Sequence, residues 1–461
     1  MPTENYADAN RAFAISPLDG RYGERLKQLG QYFSEFALMR ARVQVELHFV
    51  RSLDSKGLFP KLQVKELEKI DHYLHHFSEE DYRRIKGIEK KINHDVKACE
   101  LFLREVLELR QPNMIHFGLT SEDVNNLAYS TLFKEYLLHE QLPLLERLMK
   151  QLLKFVKEWK DVPFPARTHG QMASPTTAGK EMAVYLNRLL RVYRELNTFR
   201  FPAKLNGATG NFSAFKAAAP DHDWLQSSIN LLEGLGFEPN PVTTQIEDHD
   251  GWARYLNLVK MINNILLDLD RDMWLYLMLG YFVLETDAGA VGSSTMPHKV
   301  NPINFENSEG NLQVAVALIN GIVDKLGNSR LQRDLSDSTV TRNIGVALAH
   351  GHLAMMETLR GLSRLQVNRE YSLSELKRHP ELLAEPIQTI LRREGLEDPY
   401  NLLKEMTRGR AITAEDLQAF IKGLPVSEKV KQELLALDVT TYIGEAPRIC
   451  QLVIEEAEQL I

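Results

Sequence analysis

The chain has 461 residues, of which 44% are hydrophobic and 25% charged, and this length suggests two or three domains. The composition is that of an ordinary globular protein with enough apolar material for a sizeable core. The net charge is −7 and no basic run stands out, which argues against a nucleic-acid-binding protein, although an acidic chain can still hold a local anion site.

The cysteine usage and the apolar runs bear on the compartment. Cys99 and Cys450 lie far apart and outside any C-x-x-C pair, which argues against a disulfide framework or a zinc ribbon and favours a reducing compartment. The first residues lack the basic and apolar regions of a signal peptide. The longest apolar run, 273–284, is too short to span a bilayer. We therefore expect a cytoplasmic protein with no membrane partner.

Apolar residues recur at steps of three and four in the stretches 145–159, 182–196 and 258–276, which predicts amphipathic helices. No Gly or Pro occurs between Trp252 and Leu279, so a continuous helix there would be roughly 40 Å long at about 1.5 Å per residue. Helices of this kind must pack together, within one chain or between chains, as a long bundle.

The sequence shows no run of alternating strand signals and no fixed repeat, which predicts an all-α fold. Three regions emerge. They are an N-terminal helical domain at 1–113, a central long-helix bundle domain at 114–362 and a C-terminal helical domain at 363–461, whose helices are shorter and broken by prolines.

Three segments interrupt the helical regions, and the first is IHFGLTSEDVNN at 115–126. Thr120 and Ser121 precede two acidic residues and a helical run, which is typical of a helix N-cap. The hydroxyls either cap the helix alone or, together with the free N–H groups of its first turn, also bind a carboxylate or a phosphate.

The second segment, RTHGQMASP at 167–175, contains His169. The pKa of a histidine lies near neutrality, so this side chain can give or take a proton in a reaction. A structural or solvent-facing histidine is the alternative, and the pattern alone does not separate the two.

The third segment is GSSTMPHKVNP at 292–302. Pro297 ends any helix, after which Asn301 is predicted as an N-cap with Pro302 at the first helical position. Lys299 beside the positive end of that helix would form an anion pocket. A flexible loop of small residues is the alternative.

Other clusters give weaker signals. The glycine-rich stretch 207–210 lacks the Lys-Ser/Thr of a P-loop and the preceding strand of a dinucleotide site. The histidines at 72, 75 and 76 lack a carboxylate at a metal-binding spacing and indicate a solvated surface. The acidic residues around His249 are explained by a charged turn before the long helix.

Residues 292–302 resemble the signature of the fumarase/aspartase superfamily, G-S-S-x-M-P-x-K-x-N-P. The two other segments fall where this superfamily has its other signature regions, in the same order. Within it, the chain most resembles the adenylosuccinate lyase family, through SPLDGRYG, INHDVKA, TTQIE and LQRDLSDSTVTRN. His298 agrees, because fumarases and aspartases generally have Gly there and argininosuccinate lyases Gln. Met172 departs from the pattern, since many relatives have Pro after THGQ, which affects the local loop shape only.

The resemblance implies a fold, a reaction and an assembly. The fold is the three-domain, fumarase/aspartase-type all-α fold. The reaction is a β-elimination that releases fumarate from adenylosuccinate to give AMP, and from the succinylocarboxamide ribonucleotide SAICAR to give AICAR, with no metal or organic cofactor. The assembly is a homotetramer in which each active site draws its signature regions from three subunits.

The resemblance also assigns residues. It makes Ser293 the general base and His169 the general acid, with Glu306 as the partner of His169. A serine hydroxyl is a poor base at neutral pH, so Lys299, loop amides and a closing lid would have to stabilise the developing charge. The implied substrate-binding residues carry polar or cationic side chains. They are Thr120, Ser121, Lys299 and Asn301 for the succinyl carboxylate, with Ser294 and His116 also lining the site, and Arg21, Tyr22, Asn93, His94, Asp95, Gln245, Asn307, Arg333, Ser338 and Arg342 for the nucleotide.

Two alternatives remain at this point. One is another fumarate-releasing lyase of the superfamily, such as an argininosuccinate lyase. The other is a non-catalytic helical scaffold, which would be expected to have lost Ser293, His169 or Lys299, and all three are present.

Overall fold

The structure, a computed structural model, describes residues 13–54, 56–285, 300–407 and 412–461. Within these ranges the chain is built mainly from helices. The helices of the N-terminal half are α1 (Gly23–Leu26), α2 (Gly30–Phe33), α3 (Glu35–Asp54), α4 (Val64–His75), α5 (Glu79–Ile92), α6 (Asp95–Leu107), α7 (Ser121–Tyr136), α8 (Leu142–Trp159), α9 (Ala178–Asn197), α10 (Ser213–Ala218) and α11 (Trp224–Gly234). Those that follow are α12 (Asp250–Met278), α13 (Ile303–Leu326), α14 (Ser336–Thr341), α15 (Ile344–Leu362), α16 (Arg369–Lys377), α17 (Ala384–Arg393), α18 (Pro399–Thr407), α19 (Ala414–Gly423), α20 (Glu428–Leu435) and α21 (Ala446–Leu460).

The three amphipathic stretches that the sequence predicts are confirmed as helices. They lie within α8, α9 and α12, and α12 continues for 29 residues, as the absence of Gly and Pro predicts. The predicted N-cap at Thr120 is also confirmed, because α7 begins at Ser121. The all-α class is thereby confirmed. No helix in the described ranges combines the length and apolarity needed to cross a bilayer.

Strands are present that the sequence pattern did not indicate. In the described residues, β1 (Pro163–Thr168) pairs antiparallel with β2 (Gln171–Thr177), β3 (Pro202–Ala203) pairs parallel with β4 (Glu238–Pro239), and β5 (Phe282–Leu284) pairs antiparallel with β6 (Leu365–Val367). Four of these strands have only two or three residues, which is too short to show an alternation of apolar and polar side chains. β1 contains two prolines, and its register with β2 shifts between Phe164 and Ala166. Both features interrupt the alternating pattern by which a strand is recognised in a sequence.

The start of α13 also differs from the prediction. The sequence predicts Asn301 at the N-cap and Pro302 at the first helical position, but the amide of Glu306 donates to the Pro302 carbonyl at 3.3 Å. Pro302 therefore accepts the first intrahelical bond and occupies the N-cap position, with Asn301 one residue further out.

The chain packs into two compact units. The first comprises the described residues of Met1–Leu144, Val192–Asn264 and Gly310–Ala354, and the second those of Leu145–Arg191, Ile265–Glu309 and Met355–Ile461. The boundaries fall inside α8, α9, α12, α13 and α15, the long helices. The division into three domains at residues 113 and 362 stays a proposal that these units do not test.

Each unit has its own core. In the first unit Trp252 lies edge-on to Phe133 with ring centroids 5.4 Å apart, and Phe201 lies against Tyr255 at 5.1 Å. In the second unit the short C-terminal helices bury a cluster that runs from Leu376 to Val439.

Candidate active site

A cavity of about 500 Å³ in the first unit gathers most of the predicted nucleotide-binding residues. Its walls come from α3, the α5–α6 junction, the start of α7, the segment before α12 and the α14 region. The predicted residues that line it are Asn93, His94, Asp95, Thr120, Ser121, Gln245, Arg333, Ser338 and Arg342. Side chains from segments more than 200 residues apart in sequence thus meet in one pocket.

The α5–α6 junction presents three of these residues because one helix ends where the next begins. Asn93 caps α5 in the left-handed conformation, at φ 55°, and its amide donates to the Glu89 carbonyl at 2.7 Å. His94 caps α6, since its Nδ1 accepts from the Lys97 amide at 3.2 Å. Asp95 then opens α6 at the pocket wall.

Asp95 is fixed by the buried guanidinium of Arg42, which lies 2.8 Å from its Oδ2 atom. Burial alone would raise the pKa of Asp95, but the Arg42 charge and hydrogen bonds hold it below the usual range. Arg42 Nε donates to Asn125 Oδ1 at 2.9 Å, which links the junction to α7. The Arg42 charge is therefore already neutralised within the pocket.

The N-terminus of α7 brings Thr120 and Ser121 to the same cavity. The Thr120 amide donates to Asp123 Oδ2 at 2.9 Å, so the carboxylate of the first turn closes the cap. Both hydroxyl-bearing residues are half-buried and line the pocket. A helix N-terminus flanked by hydroxyls suits an anionic group of a ligand.

His249 also lines the cavity, although no sequence pattern assigns it to a site. It is 3% exposed, adopts φ 65° and stacks on Trp252 with ring centroids 4.4 Å apart. Its Nε2 lies 3.6 Å from Asp337 Oδ2 and its Nδ1 lies 3.8 Å from Glu247 Oε2. Burial would lower the pKa of His249, but the two carboxylates raise it to about 9. Asp248 and Asp250 are exposed, as a charged turn predicts, but Glu247 and His249 are buried and His249 lines the cavity. The aromatic Trp252 three residues beyond His249 is the sequence feature that indicates burial here.

Two further arginines define the charge of the opposite wall. Arg333 Nη1 lies 3.0 Å from Glu122 Oε1 and 3.8 Å from Asp337 Oδ2, so two carboxylates balance it. Arg342 Nη1 donates to the Ser338 carbonyl at 3.3 Å, and no carboxylate of the described residues lies within 4 Å of its guanidinium. Arg342 is thus the pocket guanidinium best able to receive a ligand anion.

Three predicted residues of the first unit do not line the cavity. Arg21 and Tyr22 precede α1, with the guanidinium 5.9 Å from the Tyr22 ring centroid. His116 adopts φ 60°, and its Nδ1 lies 2.5 Å from the buried Glu46 carboxylate. Burial would lower the pKa of His116, but the hydrogen bond to Glu46 raises it.

His169 lies in the second unit at the tip of the β1–β2 hairpin. The hairpin has a two-residue turn in which His169 and Gly170 have φ of 54° and 77°, which is the pattern of a type I′ turn. Arg167 secures the turn by donating to the Gly170 carbonyl at 3.2 Å and to the Tyr281 hydroxyl at 3.0 Å. The His169 ring is left exposed. A non-glycine residue with positive φ is uncommon, and here the type I′ turn requires it.

Glu306, Asn301 and Asn307 lie at the start of α13 in the second unit. Glu306 is exposed and its Oε1 accepts from Trp274 Nε1 at 3.1 Å. Within the described residues of this single chain, Glu306 forms no ion pair with His169, so the predicted pair stays a prediction. Ser293, Ser294 and Lys299 lie outside the described residues.

Comparison with known proteins gives the family. The family model "Lyase" matches residues 20–317, and "Adenylosuccinate lyase C-terminal" matches 329–443. An adenylosuccinate lyase of Escherichia coli strain K12 is 46% identical over 441 residues, which cover 94% of this chain and 97% of that protein. One from Haemophilus influenzae is 43% identical over 446 residues, covering 95% and 98%.

Solved structures agree on the fold. A fumarate lyase from Mesorhizobium sp. BNC1 has a TM-score of 0.75 at 17% identity and covers 93% of this chain and 97% of its own. A 3-carboxy-cis,cis-muconate lactonizing enzyme from Pseudomonas putida has a TM-score of 0.74 at 20% identity, covering 94% and 97%. The helical fold, the two family models and the full-length relatives together place the chain in the adenylosuccinate lyase family of the fumarase/aspartase superfamily.

Proposed function

We propose that this C–N lyase cleaves adenylosuccinate to AMP and fumarate, and SAICAR to AICAR and fumarate, in purine nucleotide biosynthesis. The observation that carries the proposal is that one cavity of the first unit brings together nine of the residues assigned to substrate by resemblance. The relatives named adenylosuccinate lyase support the same substrate class.

The charge of the cavity fits a nucleotide with two further carboxylates. Arg342 offers a guanidinium with no carboxylate partner in the described residues, and the Ser338 backbone orients it. Thr120 and Ser121 offer hydroxyls at a helix N-terminus, which suits a succinyl carboxylate. We assign the phosphate to the Arg342 side of the cavity and the succinyl group to the α7 side.

The reaction requires two proton transfers. A base removes a proton from the succinyl carbon next to a carboxylate, and the electron pair forms the double bond of fumarate. The C–N bond then breaks and an acid protonates the departing nitrogen. We propose Ser293 as the base, with Lys299 stabilising the charge that develops on the carboxylate, and His169 as the acid.

The exposed position of His169 supports the acid role, because its ring is accessible to a substrate at the tip of a hairpin that the β1–β2 backbone pairing holds in place. Glu306 would pair with it from another subunit of a homotetramer. We propose that the tetramer works in the cytoplasm with active sites shared between subunits.

The substrate is tested by giving the purified protein adenylosuccinate, SAICAR, argininosuccinate and malate separately and measuring fumarate. We expect fumarate from the first two only. Turnover of argininosuccinate or malate without turnover of either nucleotide would instead support another lyase of the superfamily.

The base is tested by Ser293→Ala. We expect kcat to fall by about 10²–10⁴-fold while adenylosuccinate binding, measured by calorimetry, stays close to wild type. Near-normal turnover in this variant would remove Ser293 as the base.

A further inference from the structure

A buried ion pair in the first unit lies behind the cavity without lining it. Lys204 Nζ lies 3.0 Å from Asp123 Oδ1, and both side chains are 0% exposed. Lys204 Nζ also donates to the Gly207 carbonyl at 3.1 Å and to the Gln245 carbonyl at 2.6 Å. The three donors of the ammonium group are therefore all used, and one of them holds the backbone of a pocket residue.

The Asp123 carboxylate completes a junction of three segments. It accepts from the amides of Thr120 at 2.9 Å, Asn206 at 3.0 Å and Gly207 at 3.1 Å. Asn126, one turn further along α7, binds the Lys204 backbone on both sides, with its Oδ1 2.9 Å from the amide and its Nδ2 3.1 Å from the carbonyl. The start of α7 is thus fastened to residues 204–207.

The glycine-rich stretch 207–210 allows the third segment to approach. Gly210 has φ 78°, and a Cβ atom there would lie 2.2 Å from the Thr243 carbonyl oxygen. Asn206 Nδ2 donates to Thr243 Oγ1 at 2.8 Å. This stretch is therefore a close backbone contact, which accounts for glycines that fit no phosphate-binding motif.

Stability alone does not explain this arrangement. Burying two charges costs desolvation energy, and apolar replacements of a buried ion pair often leave a protein equally stable or more so. The pair instead connects Thr120 on one wall of the cavity to Gln245 on another, and neither Lys204 nor Asp123 lines the cavity.

We propose that Lys204 and Asp123 are positioning residues, a clamp that holds Thr120 and Gln245 at their substrate-binding separation before the substrate arrives. The effect on catalysis rests on the proposed function. The clamp itself is a property of the unliganded protein and is tested independently of turnover.

The test uses the double variant Lys204→Met with Asp123→Asn, because removing one charge alone would leave the other buried and unpaired and could prevent folding. Asn keeps one carbonyl oxygen, which can replace Asp123 Oδ2 as the acceptor for the amides of Thr120 and Gly207, and the Asn206 amide loses its acceptor Oδ1. The matched control is Tyr255→Phe, which removes a buried hydrogen bond of 2.6 Å to Gln141 Oε1 in the same unit. Circular dichroism and thermal unfolding establish that each variant folds.

Two quantities are then measured. Amide hydrogen exchange in the unliganded protein is expected to accelerate in the segments 116–126 and 241–249 of the double variant and not in Tyr255→Phe. The KM for adenylosuccinate is expected to rise about tenfold or more in the double variant, with a smaller change in kcat, because Ser293 and His169 are untouched.

The clamp is contradicted if the folded double variant exchanges its amides in these two segments no faster than Tyr255→Phe does, or if its KM for adenylosuccinate equals that of Tyr255→Phe. An absence of adenylosuccinate turnover in the wild type refutes the proposed function instead, and the exchange measurement still decides whether Lys204 and Asp123 hold the two segments.

Discussion

His249 is the buried charge that organises the polar wall of the cavity. Its imidazole lies between the carboxylates of Glu247 and Asp337, and Asp337 also faces Arg333. Because the pKa of His249 is raised to about 9 by these carboxylates against the effect of burial, the ring is charged at neutral pH. The charged ring balances carboxylates that would otherwise weaken the attraction of the pocket for an anionic substrate.

This charge makes stability depend on pH in a defined direction. The pKa of His249 is about 9 in the folded state and near 6.5 in the unfolded chain, so its stabilising contribution is complete below about pH 6.5. The contribution is lost as the pH rises through about 9, and it is at most about 3 kcal/mol. We expect the free energy of unfolding by urea to fall between pH 7 and pH 9.5 more steeply in the wild type than in His249→Asn.

Asn is chosen because it tolerates the left-handed backbone at position 249. Groups other than His249 titrate in both the wild type and His249→Asn, so the difference between the two pH dependences reports on His249. Equal slopes in the two proteins would show that His249 carries no charge in the fold.

At the scale of elements, the long amphipathic helices and the pocket wall at the start of α7 are predictable from sequence patterns, and the β1–β2 hairpin and the pocket wall around His249 are not. The stripes of α8, α9 and α12 follow from sequence periodicity, and α7 follows from its N-cap. The β1–β2 hairpin is not predictable from the pattern, because the prolines of β1 and the register shift interrupt the alternation of apolar and polar residues that is typical of a strand. The burial of Glu247 and His249 has no local sequence pattern, because it depends on partners such as Asp337, which lies about 90 residues away from His249.

The candidate site was predicted by resemblance more than by pattern. Asn93, His94 and Asp95 have no periodicity or motif of their own, and only the match to a family pointed to them. The helix junction that presents them is visible once Asn93 is seen in the left-handed conformation. Arg21, Tyr22 and His116 show the converse, since the resemblance assigns them to the site and the cavity of the first unit does not include them.

The close contact at 207–210 gives a prediction for an element. Gly210→Ala places a Cβ atom 2.2 Å from the Thr243 carbonyl oxygen at a backbone φ of 78°, so we expect it to lower the free energy of unfolding by about 1–3 kcal/mol. The matched control is Gly87→Ala in the exposed part of α5, where a Cβ atom meets nothing within 4 Å. That control is expected to stabilise the protein by about 0.5–1 kcal/mol.

The free energy of unfolding of Gly210→Ala and Gly87→Ala is measured by urea unfolding and compared with that of the wild type. A Gly210→Ala protein as stable as the wild type would mean that residues 207–210 and 243–244 are free to move apart.

At the scale of the whole molecule, the long helices expose apolar side chains that a single chain leaves in water. Trp274, Leu275 and Met278 of α12 are 37%, 43% and 61% exposed. Apolar side chains at this spacing on a long helix are typical of helix–helix packing. They are consistent with the proposed tetramer, whose mass would be four times the chain mass of 52.8 kDa.

The proposed sharing of active sites between subunits gives a prediction of its own. His169→Asn is expected to keep the type I′ turn while it removes the proposed acid, and Ser293→Ala removes the proposed base. We expect each variant alone to be nearly inactive and a mixture, dissociated and reassembled, to recover fumarate release, because hybrid tetramers contain some sites with both groups intact. Mixing without recovery, although native mass spectrometry with one variant isotopically labelled shows hybrid tetramers, would place both groups of each site on one chain.

The most direct test of the account is whether Arg342 meets the phosphate of a nucleotide substrate. The values of kcat/KM are measured for wild type and Arg342→Met, with adenylosuccinate and with its nucleoside counterpart lacking the phosphate. We predict that the substitution lowers kcat/KM for the nucleotide by about 10–100-fold, as expected for loss of a charged hydrogen bond, and changes the value for the nucleoside little. Equal losses for both substrates, or no loss for either, would contradict the assignment of this cavity as the nucleotide site.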